Sequence, residues 1–124
     1  MDYYITTDAQ PLSSSQIVME ERRAVPRKPL HGRVTLRLGD NTTVQGHGVD
    51  LSSGGVRLAA DRALPSPLDC TIEFTIKLDG RPHTITCKGR VLSCVCTGMD
   101  GFTIGVQFVQ LNEVGKAAVA QALR

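Results

Sequence analysis

The pattern of apolar and polar residues predicts a chain made of short β-strands. Apolar side chains occupy every second position in two clear segments, 34–38 and 72–78, with Arg, Thr, Glu and Lys between them. This alternation is typical of a strand that buries one face and exposes the other. Weaker versions of the pattern predict strands over 43–50, 56–58 and 102–109.

Turn-forming residues separate these segments. Asp79-Gly80 is a strong signal for a two-residue hairpin, and it predicts a returning strand over about 82–96. Gly39-Asp40-Asn41 and 98–101 predict two further turns, and 64–68 is a proline-rich connector. Gly46 and Gly48 lie inside a predicted strand, which indicates a bulge or a close backbone approach. The chain therefore contains six predicted strands in an antiparallel order.

The last segment predicts a helix over residues 112–123. It is rich in alanine, Asn112 is a suitable N-cap, and Val114, Ala117, Ala118 and Gln121 fall near one helical face. Six short antiparallel strands followed by one helix favour a mainly β fold, namely a small closed six-stranded β-barrel with one C-terminal α-helix. We expect the barrel over 32–110 and expect the helix to cover a seam or one end.

Composition places the whole chain in one domain. Its 124 residues are enough for one core, and residues 1–20 are polar and aperiodic, which predicts a flexible N-terminal tail. The net charge of +2 argues against broad nonspecific attraction to DNA or anionic membranes. No apolar run approaches the roughly 20 residues that span a bilayer, and there is no secretory signal pattern. We therefore expect a cytoplasmic protein with reduced cysteines and without membrane insertion.

Positive charge is concentrated in residues 21–31, which we call the arginine arm. It holds Arg22, Arg23 and Arg27 within six residues. A guanidinium group is always charged, planar and forked, so it can clamp a phosphate and also stack on a flat base. Pro26 restricts its own φ angle and disfavours helix at Val25, so we expect an extended arm.

A second stretch, Asp50-x-Ser52-x-x-Gly55, brings hydrogen-bond acceptors to the end of a strand. Asp50 offers a carboxylate and Ser52 a hydroxyl, and residues two apart on a strand share a face. Gly54 and Gly55 leave no side chain in the way of a flat ligand. A carboxylate suits the paired N–H donors on the edge of guanine, although the same residues also form ordinary turns.

The order and spacing of these two motifs, with a strand pair between them, resemble the PilZ domain. PilZ domains are small β-barrels that bind the bacterial second messenger cyclic di-GMP. The resemblance covers roughly residues 20–124 and includes the Gly105-Val106-Gln107-Phe108 ending of the last strand. It implies that Arg23 and Arg27 hold the phosphates and contact the guanines.

The resemblance also assigns the remaining residues. It implies that Asp50 and Ser52 read a guanine edge while Gly54 and Gly55 give the base room. An arginine at position 22 is associated in the family with binding of an intercalated dimer, so one or two nucleotides per chain stay open. Arg57 and Arg90 are on strands that could reach the ligand, but we interpret both as part of a solvated barrel face. The resemblance further implies an adaptor that acts in trans on a protein partner in motility, exopolysaccharide secretion or pilus function.

Other functions are less well supported. Cys94-x-Cys96 has one residue between its thiols where zinc sites usually have two, so we expect no metal and no other cofactor. No histidine is placed to activate a nucleophile, so we expect no enzyme. A barrel for single-stranded nucleic acid would show aromatic platforms on a basic face, and the phenylalanines instead follow the core pattern. A PilZ-like interaction module without nucleotide binding is the other alternative.

Overall fold

The computed structural model describes residues 26–98 and 101–124. It contains seven strands and one helix within those ranges. Their bounds are β1 Arg27–Pro29, β2 Arg33–Leu38, β3 Thr43–Ser52, β4 Gly55–Ala60, β5 Leu68–Leu78, β6 Arg81–Cys96, β7 Phe102–Gln110 and α1 Glu113–Ala122. The predicted tail and the arm before Pro26 lie outside these residues, so the boundaries at 20 and 21 stay predictions.

Six of the strands close into an antiparallel barrel. Neighbouring strands follow the order β3-β2-β5-β6-β7-β4, and pairing of β3 with β4 completes the ring. The short strand β1 lies outside the ring and pairs with the end of β3. The predicted six-stranded antiparallel barrel with one C-terminal helix is therefore confirmed, with one added strand. Closure leaves few unpaired strand edges, which would otherwise invite aggregation.

The barrel interior is filled by the apolar positions of the alternating pattern. Phe74 is 1% exposed and is the largest fully buried side chain. Its ring stacks on Phe108 with centroids 5.8 Å apart and an interplanar angle of 13°. Aliphatic side chains surround this pair, among them Leu36, Leu58, Ile72 and Ile104, each with 0% exposure. The core is thus mostly aliphatic, as the low aromatic content indicates.

The turns follow the signals in the sequence. Asp79 and Gly80 have φ angles of 54° and 77°, the positive values that a type I′ hairpin turn needs. A side chain at Gly46 would clash with the carbonyl oxygen of Ala59, so β3 and β4 approach closely there. The register of β3 against β4 shifts between Gly48 and Asp50, which is the bulge that the two glycines indicate.

The break predicted over residues 50–55 is shorter than expected. Strand β3 continues through Ser52 and β4 begins at Gly55, so only Ser53 and Gly54 lie between them. Strand β1 explains the difference because Arg27 pairs with Ser52 and Pro29 pairs with Asp50. Strand β1 comes from a distant part of the sequence and pairs with the end of β3. Local turn propensity cannot predict such a pairing.

The helix begins where expected but buries a different face. The Asn112 side chain accepts a hydrogen bond of 2.7 Å from the Gly115 amide, which confirms the N-cap. The buried residues are Gly115 and Val119, whereas Val114 is 79% exposed. Of the residues on the predicted face only Ala118 packs against the core, together with Ala122 and Leu123, while Val114, Ala117 and Gln121 are exposed. A side chain at position 115 would lie 2.7 Å from Leu111, so its absence lets Leu111 pack close to the helix.

Strand β1 connects the barrel to the end of this helix. The last turn of α1 contains no basic residue, and the Lys28 ammonium donates a hydrogen bond to the carbonyl of Arg124 just beyond it. A cation near a helix C-terminus is stabilising because it faces the negative end of the helix dipole. None of the helices in the described ranges is long and apolar enough to cross a membrane.

Candidate ligand-binding site

A cavity of about 460 Å³ lies where β1, the β3–β4 turn and β7 meet. It is lined by Arg27, the Ser52–Arg57 segment, Leu92, Ser93 and the Gly105–Gln107 segment of β7. The two sequence motifs therefore reach one place in the fold. The register explains this, because Arg27 of β1 is directly opposite Ser52 of β3.

Asp50 is the electrostatic centre beside this cavity. Its side chain is only 14% exposed, and Arg27 Nη1 lies 3.3 Å from Asp50 Oδ1. Arg57 holds the same carboxylate more tightly. Its Nε lies 3.0 Å from both carboxylate oxygens, and its Nη2 also donates to Oδ2. The hydrogen bonds with Asp50 raise the pKa of Arg57 further above its already high value.

Ser52 shapes the turn with its hydroxyl group. It is 5% exposed, which makes it the only buried polar residue in the described part of the chain. Its Oγ accepts a hydrogen bond of 3.2 Å from the Gly54 amide and lies 3.4 Å from the Gly55 carbonyl oxygen. Short polar side chains commonly stabilise turns in this way. The assignment of Ser52 to a guanine edge stays a prediction.

The two glycines of the turn have different surroundings. A side chain at Gly54 would meet nothing within 4 Å, so the surface there is open for a flat ligand. A side chain at Gly55 would clash with the carbonyl oxygen of Val106 in the neighbouring strand β7. Gly55 therefore permits β4 to pair with β7, where it is opposite Gln107. This packing requirement was not part of the sequence prediction.

Arg22 and Arg23 lie outside the described residues, so the structure locates one of the three predicted arginines, Arg27. Arg27 is opposite Ser52, and the antiparallel pairing runs from Pro29 opposite Asp50 toward the turn. The N-terminal end of β1 consequently points toward Ser53 and Gly54. This direction is compatible with the assignment of the upstream arginines to the same cavity, which stays a prediction.

The structure separates two arginines that the sequence treats alike. Arg57 lines the cavity beside Asp50, so its interpretation as plain solvated surface was incomplete. Arg90 forms an ion pair of 2.9 Å with Asp69 and lines a different cavity, of about 400 Å³, together with Arg37 and Lys88. The sequence offers no signal for this difference, because it follows from the pairing of Asp50 with Arg57 across β3 and β4.

Leu92, Ser93 and Gln107 are among the lining residues that the predicted site did not include. Leu92 is 53% exposed and follows the fully buried Val91, so two apolar residues are adjacent in an alternating strand. Leu92 faces outward by the regular alternation of β6, in which residues 85, 87, 89 and 91 are buried, and the register of β6 against β7 shifts between Val91 and Ser93. The adjacent apolar pair Val91 and Leu92 in an alternating strand was the feature of the sequence that could have indicated an exposed apolar residue here. Leu92 gives the cavity an apolar patch beside its charged side.

The cysteines form no comparable site. All four are free, and burial raises the pKa of Cys70 to about 11 and also raises the pKa of Cys87. Cys94 is partly buried and Cys96 is exposed. No cluster of three or more His, Cys, Asp or Glu side chains suited to a metal ion occurs within residues 26–98 and 101–124.

Comparisons with known proteins identify this architecture. The family model for the PilZ domain matches residues 21–124. The chain is similar in structure to the Bacillus subtilis inhibitor of motility MotI/DgrA, with a TM-score of 0.70 and 12% identity over 81% of this chain. It spans about half of that protein, 48% of its length. A sequence comparison with curated proteins found no match.

Two isolated PilZ domains give a similar result. The PilZ domain of Escherichia coli YcgR, solved with cyclic di-GMP, has a TM-score of 0.61 and 18% identity over 82% of this chain and 88% of its own. The PilZ domain of CeSA from a cellulose-synthesizing bacterium has a TM-score of 0.52 and 21% identity over 78% of this chain and 93% of its own. PilZ domains are receptor or adaptor modules. With the matching family model and the barrel-plus-helix fold, the chain belongs to the PilZ domain family.

Proposed function

We propose that this chain is a receptor for cyclic di-GMP that acts in trans on a protein partner. The observation that carries the proposal is the meeting of Arg27 and Asp50 beside one cavity, 3.3 Å apart, although 23 residues separate them in the sequence. A cation for phosphate and an acceptor for guanine are the two groups that a guanine dinucleotide requires. Its two phosphates and two flat bases suit stacked and forked guanidinium groups.

Each residue of the site has a proposed role. Arg23 and Arg27 hold the phosphates and contact the guanines, and Asp50 accepts from the paired N–H groups of one guanine. Ser52 reads the same guanine edge with its hydroxyl, and Gly54 and Gly55 leave room for the base. The YcgR domain, which shares this fold, was solved with cyclic di-GMP, and this supports the same ligand here.

One feature favours a second candidate. In the structure, arginines occupy the carboxylate of Asp50 and the backbone of the turn engages the hydroxyl of Ser52. A PilZ-like interaction module that does not bind nucleotide would present the same contacts. The two functions differ in a direct binding measurement.

Isothermal titration calorimetry with cyclic di-GMP, GTP and a short DNA oligonucleotide tests the proposal. We expect binding of cyclic di-GMP alone, because only this ligand presents two guanines and two phosphates in a compact ring. Absence of heat with cyclic di-GMP at tens of micromolar would favour the interaction module, and tight binding of the oligonucleotide would favour a nucleic-acid barrel. The inflection also gives the stoichiometry, and Arg22→Ala should reduce two nucleotides per chain to one if Arg22 supports a dimer.

Asp50→Ala is expected to weaken discrimination between cyclic di-GMP and cyclic di-AMP, because alanine removes the acceptor that only guanine satisfies. Affinities for both ligands give the measurement. Asp69→Ala is the matched control, since Asp69 also pairs with an arginine on the barrel surface but lines the other cavity. An unchanged affinity ratio in Asp50→Ala would remove Asp50 from the guanine-reading role.

We further propose that the arginine arm closes over the β3–β4 turn when nucleotide binds. Strand β1 within the arm already pairs with β3, so the proposed closure concerns the arm residues before it. Ordering of a segment on binding costs conformational entropy, and the ordered surface becomes available to a partner. Amide hydrogen exchange across residues 20–30 should slow at saturating cyclic di-GMP. Exchange rates that do not change there would exclude closure of the arm as the signal.

The setting follows from the ligand. Cyclic di-GMP is a bacterial second messenger, so we place the protein in the bacterial cytoplasm, where its four free cysteines stay reduced. We propose no catalytic role, metal or resident cofactor. The partner is a protein in motility, exopolysaccharide or pilus output.

A further inference from the structure

Both oxygens of the Asp50 carboxylate are engaged by arginines in the structure. An ionised carboxylate offers about four lone-pair sites, two on each oxygen. Oδ1 faces Arg27 Nη1 at 3.3 Å and Arg57 Nε at 3.0 Å. Oδ2 faces Arg57 Nε at 3.0 Å and also accepts from Arg57 Nη2. A new pair of donors can be accepted only if existing contacts give way.

Arg57 supplies two of the three N–H donors, with its Nε–H shared between both oxygens, and strand pairing keeps its backbone in place. Asp50 and Arg57 are direct cross-strand partners between β3 and β4, and Arg57 is also opposite Gly105 of β7. Arg27 contributes one longer contact from the edge strand β1. Arg57 is therefore the main occupant of the position that we assign to guanine.

The two occupants are chemically alike. Guanine offers a ring N–H and an adjacent amino group, and a guanidinium group offers two parallel N–H donors of the same kind. Both satisfy the two oxygens of a carboxylate at once. We propose that Arg57 is an internal competitor that imitates the guanine edge at Asp50 and so sets the nucleotide concentration at which the site fills. This inference rests on the proposed function.

Release of Arg57 is feasible because its side chain is 45% exposed and can move into solvent without entering the core. A partly exposed ion pair such as Arg57–Asp50 contributes only modestly to the free energy of the nucleotide-free state. The competition therefore lowers the affinity for nucleotide without blocking its binding. Arg57→Gln removes the charge and the fork but keeps a polar side chain. It is expected to tighten cyclic di-GMP binding by about threefold to tenfold. Arg57→Lys, which keeps the charge without the fork, should fall between.

Arg90→Gln is the matched control for these titrations. Arg90 is also 45% exposed and also pairs with an aspartate, but in the other cavity. The Arg90→Gln variant reports the effect of losing one positive charge. Its affinity for cyclic di-GMP should stay within twofold of that of the unaltered chain. Thermal unfolding of each variant verifies that the barrel is intact.

The Arg57 Nε–H resonance in a ¹H–¹⁵N spectrum, assigned by its loss in Arg57→Lys, gives a direct second measurement. It should be observable in the free protein and should shift or broaden when cyclic di-GMP saturates the site. Tighter binding of Arg57→Gln together with this change supports the competition. Unchanged or weaker binding of Arg57→Gln by a chain that binds nucleotide would overturn it, with weaker binding marking Arg57 as a ligand contact. If neither chain binds cyclic di-GMP, the proposed function fails as well.

Discussion

Phe74→Ala is expected to lower the free energy of unfolding by about 3–5 kcal/mol, the usual cost of removing a buried phenylalanine. Phe74 is 1% exposed and its ring stacks on Phe108 at the centre of the barrel. The sequence contains three phenylalanines and no tryptophan, so few other large side chains are available to fill the cavity. Urea unfolding followed by circular dichroism, under reducing conditions, gives the measurement.

Two variants make this result specific. Phe74→Leu removes part of the ring volume and should cost clearly less than alanine, since a smaller cavity remains. Val114→Ala removes an apolar side chain that is 79% exposed and should change stability by no more than about 0.5 kcal/mol. A Phe74→Ala cost below about 1 kcal/mol, with an unchanged denaturant slope, would contradict the central position of this ring.

Arg27→Ala is expected to weaken cyclic di-GMP binding by about tenfold to a hundredfold. A hydrogen bond to a charged group contributes about 1.5–3 kcal/mol, and each 1.4 kcal/mol is a factor of ten in affinity. Arg27 is the one member of the predicted arginine set whose position the structure describes, and it lines the cavity beside Asp50. Calorimetric titration measures the affinity directly.

Controls for this variant distinguish a lost contact from lost charge. Arg90→Ala removes the same side chain from the other cavity and should leave the affinity nearly unchanged. Arg27→Lys keeps the charge but not the fork, so we expect partial binding with weaker dependence on phosphate geometry. Equal affinities of Arg27→Ala and the unaltered chain would remove Arg27 from the site.

The fold could be predicted from the sequence because the patterns that determine it are local in the chain. Alternation in 72–78 and the Asp79-Gly80 turn define a hairpin without reference to other parts of the chain. The helix face was predicted only in part. Ala118 packs against the core as expected, whereas Gly115 packs through the absence of a side chain, which hydrophobic periodicity cannot detect. Strand β1 was missed because its pairing depends on a partner more than 20 residues away.

The ligand-binding site could be predicted from the sequence only in part. The motif positions Arg27, Asp50 and Ser52 were identified through the resemblance to the PilZ motifs. In the structure Arg27 and Ser52 line one cavity and Asp50 lies beside it, although their roles toward a ligand stay predictions. The contact between Arg57 and Asp50 could not be predicted from the sequence, because it depends on which residue of β4 is opposite Asp50. A bulge between Gly48 and Asp50 sets that register, and a bulge position cannot be fixed from alternation alone.

The packing of Gly55 has a consequence for how such chains change over generations. Its missing side chain is what lets β4 lie against the Val106 carbonyl, so any larger residue disturbs barrel closure whether or not a ligand binds. Under the proposed function, a descendant that stopped binding nucleotide would keep this glycine for folding and would be free to lose Arg27 and Asp50. Among relatives, we expect Arg27 and Asp50 to be retained only where nucleotide is bound. We expect Gly55 to be retained wherever the barrel closes in this way.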